Sequence, residues 1–154
     1  MNDTTRSYAL DTFPAAAVRF ARALDRNRER IAADEGLSAG ELRAMFFIAE
    51  HISVTPKQIS AHMHVTTAAV SFISRRLTSI DMLERADHPG DGRSVLLTLS
   101  PLGHTTMDRI HTDFDEMVRD STSTLSPEQL DEFTHALTTV GTAIVERTSA
   151  PPGI

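Results

Sequence analysis

The run TPKQISAHMHVTTAAVSFISRRLTSI, residues 55–80, contains two helix starts separated by one tight turn. Thr55-Pro56-Lys57-Gln58 is a capping box. The Thr hydroxyl takes an orphan N–H, Gln58 reaches back, and Pro56 sits where a helix tolerates proline. Val54 and Ile59 flank it as a hydrophobic staple. A short helix is expected from about Pro56 to Met63, a turn at His64-Val65, and a second helix from Thr66 to Leu77. The turn requires a residue that tolerates positive φ, and His64 is of a type enriched there. Two helices so joined form a helix-turn-helix, in which the second helix enters a DNA major groove.

A rotation of about 100° per residue sorts the second helix into two faces. Thr66, Val70, Ile73 and Leu77 form the core side; Thr67, Ala68, Ser71, Phe72 and Arg75 form the outer side. No acid stands between Thr66 and Ile80, so this face can approach phosphates without repulsion. Arg75 can pair with guanine or phosphate; Thr67, Ala68 or Phe72 can touch thymine methyls. The alternative for Phe72 is packing against a neighbouring helix. Lys57, Ser60, Thr66 and Arg76 are placed to meet phosphates.

Downstream, Met82 to Ala86 and Arg93 to Leu99 read as strands around the turn chemistry of Pro89-Gly90-Asp91-Gly92. A β-hairpin directly after a helix-turn-helix makes a winged helix. Arg93 near its tip suits the narrow minor groove, with Asp91 orienting the guanidinium. The alternative is an ordinary turn ion pair of little energetic weight.

Upstream, Ser38-Ala39-Gly40-Glu41 is a second capping box, opening a helix to about Glu50. Before it, Phe13, Ala17, Phe20, Leu24 and Ile31 recur at helical spacing from about Pro14, and Gly36 ends the run. Ser126-Pro127-Glu128-Gln129 is a third box, and Ser100-Pro101 a weaker start. The helices they open carry Met107, Ile110, Phe114, Met117 and Val118, then Leu130, Phe133, Leu137, Val140 and Ile144. Such stripes are either intramolecular core or a dimer face; their position at the chain ends favours a dimer face.

The fold class expected is mostly α with a small β-hairpin wing. Residues 37–100 form a winged helix-turn-helix lobe; residues 10–36 and 101–148 form a helical dimerisation platform in one discontinuous domain with it. The 154 residues suit one domain of ordinary size. The absence of cysteine excludes disulfides, thiolate metal sites and thiol redox chemistry. No apolar run reaches the roughly 18 residues of a membrane span and no signal peptide opens the chain, so a cytoplasmic, nucleoid-associated location is expected.

A net charge of −6 argues at first against nucleic acid. Partitioned, the charge tells otherwise. Met1–Val54 holds 7 basic and 8 acidic residues, Thr55–Leu96 holds 5 and 4, and Leu97–Ile154 holds 3 and 9. The acidity is concentrated in the C-terminal stretch, away from the helix-turn-helix.

From about Ala15 to the last helix, this order resembles the MarR family of bacterial winged-helix regulators. The resemblance is carried by Ile59 to Leu83, by Leu83-Glu84-Arg85, by Asp91-Gly92-Arg93, and by Val95-Leu96-Leu97-Thr98-Leu99-Ser100-Pro101-Leu102-Gly103. It implies a homodimer with interlocked terminal helices, recognition helices in successive major grooves of a pseudo-palindromic operator, and Arg93 with Asp91 at the minor groove. It also implies a small, often aromatic effector in a cleft between platform and lobe. Phe20, Arg22, Met45, Phe46, His51 and His104 are the candidate lining. His64 and Asp81 replace usual glycines, and Phe72 stands where the family commonly has Arg or a polar group.

No cofactor is expected. His62 with His64, and His104 with His111, lack third and fourth ligands at metal spacing. No nucleophile motif, phosphate loop or carboxylate pair suggests an enzyme. The expectation is a repressor of its own or a neighbouring operon, released by an effector. The rival is a winged-helix protein-interaction or ligand-sequestering module with little DNA affinity.

Overall fold

Capping residues set the helix boundaries. The structure is a computed structural model and describes residues 11–149, excluding the side chains of residues 91–93 and 149. Along the chain lie α1 (Thr12–Asp34), α2 (Ala39–His51), β1 (Ser53–Val54), α3 (Pro56–Met63), α4 (Thr67–Ser79), β2 (Leu83–His88), β3 (Asp91–Leu99), α5 (Pro101–Ser121) and α6 (Pro127–Ser149). All three capping boxes form. The Ser38 hydroxyl accepts from the Glu41 amide at 3.2 Å, while the buried Glu41 carboxylate accepts from the Ser38 amide at 2.8 Å. Thr55 and Gln58 exchange the same pair of bonds at α3, and Ser126 and Gln129 at α6. At that last cap, the Ser126 hydroxyl and then the backbone amide of Glu128 hold the exposed Glu128 carboxyl below the usual carboxylate range.

The strands form one antiparallel sheet in the order β1-β3-β2. The hairpin is the expected wing, with Leu83 opposite Leu99 and Arg85 opposite Leu97. Its tip is tighter than the sequence suggests. Asp91 already pairs with His88, so Pro89-Gly90 alone make the turn, and the Gly90 amide donates to His88 Nδ1 at 3.1 Å. A bulge sits between Asp87 and His88. The third strand, Ser53–Val54, pairs with Thr98 and Leu97. Two residues are too short to show an alternating pattern, so the sequence gives no sign of it.

One core cluster joins these elements. Leu42, Met45 and Ile48 of α2, Ile59 of α3, Val70 and Leu77 of α4, and Leu97 of β3 are all within 1% of full burial. Ile31 and Ala32 at the end of α1, and Met107 and Ile110 on α5, belong to it as well. Packing divides the chain into two units, the first ending at Ile110 and the second beginning at His111. The boundary therefore falls inside α5 rather than at its start. In the first unit, Arg109 reaches Glu35 through two nitrogens, Nε at 3.2 Å and Nη2 at 2.5 Å. In the second unit, every residue from 123 to 148 is exposed.

Candidate nucleic-acid interface

The turn between α3 and α4 is locked from both sides. His64 adopts the left-handed conformation at φ 55° and ψ 43°, the geometry expected of it. The next residue, Val65, donates its amide to the Ser60 carbonyl at 3.2 Å, and the Ser60 hydroxyl donates back to the Val65 carbonyl at 2.6 Å. Thr66 then caps α4 by accepting from the Ala69 amide at 3.2 Å. A loop of three residues is thereby fixed, and α4 is delivered to the lobe surface as a rigid element.

The structure places Val70, Ser74 and Leu77 of α4 against the core, with Ile73 half-buried. Ser74 was not legible as a core residue, because its type suggests exposure. Thr66, expected on the core side, is exposed at the cap. Thr67, Ala68, Ser71, Phe72 and Arg75 are all exposed together on the other side. Phe72 is 67% exposed, so its ring does not pack against a neighbouring helix. Arg75 leans along its own helix, its Nε donating to the Ser71 carbonyl at 3.2 Å.

The other candidates sit in contrasting surroundings. Lys57 is exposed in the first turn of α3. The Ser60 hydroxyl proton is committed to Val65, leaving only acceptor capacity, which a phosphate does not need. Arg76 turns away from the outer face. Its Nη2 points at the Gly36 carbonyl at 3.5 Å, and its Nη1 is buried without a partner. In the wing, the backbone of Asp91 and Arg93 lies in β3, and their side chains lie outside the described residues.

Of the six residues expected around an effector, one lies in the core. Met45 is fully buried in the core. It lines no opening because α2 turns it inward together with Leu42 and Ile48. Phe46 is half-buried, whereas Phe20, Arg22, His51 and His104 are exposed. The sequence reading missed the aromatic stack beside them. Phe47 carries His62 of α3 at 4.1 Å between ring centroids and 17° between planes, and His51 at 4.3 Å on α2 itself. His62 is thus a packing contact between α2 and α3. Among the described residues, no three His, Asp or Glu side chains stand close enough to hold a metal ion.

The MarR family model matches residues 37–95, from the capping box of α2 into the second strand of the wing. These residues are a MarR-family domain. No curated protein matches the chain significantly. Among solved structures, wild-type MarR from E. coli in its apo form is 18% identical, covers 86% of this chain and 98% of its own, and superposes with a TM-score of 0.71. A point mutant of that MarR complexed with operator DNA gives 20% identity, coverage of 85% and 99%, and a TM-score of 0.60. A mutant of S. aureus MepR bound to an oligodeoxyribonucleotide gives 18% identity, coverage of 88% and 99%, and 0.65. At such identities the likeness is one of fold, and it extends beyond the MarR-family domain to most of the chain. No described helix is long and apolar enough to cross a membrane.

Proposed function

We propose that this chain is a homodimeric transcriptional regulator that binds a pseudo-palindromic operator through α4 and the wing. The observation that carries the reading is the outer face of α4. It is exposed from Thr67 to Arg75, free of acids, and held rigidly by the Ser60–Val65 lock within a MarR-family domain. Thr67, Ala68, Ser71, Phe72 and Arg75 meet base edges; Lys57 and Thr66 meet phosphates; Arg93, oriented by Asp91, enters the minor groove. Ser60 and Arg76 support the reading frame from within the lobe rather than by direct phosphate contact. That two neighbours of the same fold were solved with DNA supports this docking.

The second copy is supported by the apolar stripe of α6. Leu130, Phe133, Leu137, Val140 and Ile144 are between 38% and 57% exposed at helical spacing. Leaving such a stripe in water is costly, at about 25 cal/mol per Å² of apolar area. A second copy of the same helices covers it. Repression of its own or a neighbouring operon, and release by a small aromatic effector, complete the proposal; Phe20, Arg22, Phe46, His51 and His104 remain its candidate contacts.

A footprint on DNA flanking the coding sequence, with and without aromatic acids, tests the reading. Protection of two half-sites about one helical turn apart is expected. A chain that protects no DNA, or binds with a flat salt response, favours the protein-interaction module instead.

A further inference from the structure

We infer that Phe72 is the sequence-reading residue of α4 and that it reads the C5-methyl group of a pyrimidine, thymine in unmodified DNA. The inference rests on the DNA-binding reading above and specifies its chemistry. Phe72 is the one large apolar side chain of α4 that is exposed, at 67%. Ala68, four residues earlier and on the same face, is exposed beside it. Together they form an apolar strip on the surface that faces the groove.

The polar groups around that strip are largely engaged with their own helix. The Ser71 hydroxyl donates to the Thr67 carbonyl at 2.9 Å, and Ser79, further along the helix, to the Arg76 carbonyl at 2.6 Å. The Nε of Arg75 donates to the Ser71 carbonyl. What projects from the face is therefore a phenyl ring, the methyl group of Ala68, the short side chain of Thr67, and the Nη groups of Arg75. A phenyl ring cannot satisfy the hydrogen-bonding edges of guanine, cytosine or adenine. In the major groove, the apolar group offered by the four bases is the thymine methyl. A ring buried against any other edge desolvates a donor or acceptor without replacing its bond. Phe72 thus favours thymine by attraction and disfavours the rest by desolvation. Lys57, with the acid-free run from Thr66 to Ile80, lets the helix come close enough for that contact.

The test begins with duplexes enriched by the full-length chain from a random library. Thymine is expected at a fixed position in each half-site. Replacing that thymine with deoxyuridine removes only the methyl group. Wild-type affinity should fall about fourfold per half-site, the value of one buried methyl-sized group, and about fifteenfold when both are replaced. 5-Methylcytosine, paired with guanine at that position, should be bound more tightly than unmodified cytosine. Phe72→Ala should bind the thymine duplex more weakly and respond equally to thymine and deoxyuridine; Phe72→Leu should keep part of the discrimination. Equal binding of the thymine and deoxyuridine duplexes by the wild type overturns the inference and leaves the DNA-binding reading standing. So does a full deoxyuridine penalty in Phe72→Ala. A chain that enriches no duplex overturns both.

Discussion

A β-carbon built on Gly103 would stand 2.2 Å from the carbonyl oxygen of Met82. The first turn of α5 is pressed onto the chain that links α4 to the wing. The Ser100 hydroxyl holds it there, donating to the Asp81 carbonyl and accepting from the Gly103 amide at 2.9 Å. The Met82 carbonyl also accepts from the Ser100 amide at 3.1 Å, so it cannot move aside freely.

Gly103→Ala is therefore expected to destabilise, although alanine is the better helix former by about 1 kcal/mol. The obstacle is backbone, and overpacking of this kind costs about 1–3 kcal/mol. Urea unfolding checks it: a lower midpoint is expected, and a raised one would show that α5 shifts without penalty.

Ile52 holds the opposite kind of strain. It is 83% exposed and adopts φ 65° and ψ −54°, a conformation that a β-branched residue rarely takes. Such strain costs about 1–3 kcal/mol, whereas glycine adds about 0.5–1 kcal/mol of unfolded-chain entropy. Ile52→Gly should then stabilise the lobe by up to about 2 kcal/mol. Ile52→Ala, which keeps a β-carbon, should gain less. Thermal melts of both variants against the wild type decide it.

These two positions mark where the sequence stops being readable. Helix starts were legible because each cap is local: Ser38 and Glu41, or Thr55 and Gln58, solve one another's bonding within four residues. The positive φ of His64 was legible for the same reason, since it stands in a short turn between patterned elements, whereas that of Asp81 followed from the resemblance, which has a glycine there. Long-range facts were not legible. Nothing in the local pattern shows that Arg76 turns back to Gly36 or that Phe47 stacks on His62. Each depends on which helix lies opposite, and residue spacing along one helix carries no such information.

The α6 stripe leads to a prediction about assembly. Leu137 is 42% exposed and Val140 39%, so charging both does not remove a core residue. The double variant Leu137→Glu and Val140→Glu should keep its helical circular dichroism while sedimenting as a monomer. Its operator affinity should fall steeply, because two half-sites no longer bind as one unit. A wild-type chain that sediments as a monomer at micromolar concentration overturns the dimer reading.

Arg93 and Lys57 separate specificity from simple attraction. A minor-groove arginine senses groove width, so Arg93→Ala should weaken operator binding by about 1–3 kcal/mol, as for a good base contact. Binding to unrelated duplex should change far less. Lys57 stands at the exposed start of α3, where the proposed docking has it meet a phosphate of any sequence. Lys57→Ala should weaken both kinds of binding alike and reduce the slope of log affinity against log salt by about 1 per protomer. If the wild type binds as the proposed dimer and touches about 6–10 phosphates, it should lose roughly 10³–10⁵ in affinity between 50 and 200 mM salt. The near-neutral charge of residues 55–96 makes this comparison sharp. With few cations to hold non-specific DNA, each should account for a large and separable share of the salt response. A Lys57→Ala variant with an unchanged slope would remove that residue from the interface.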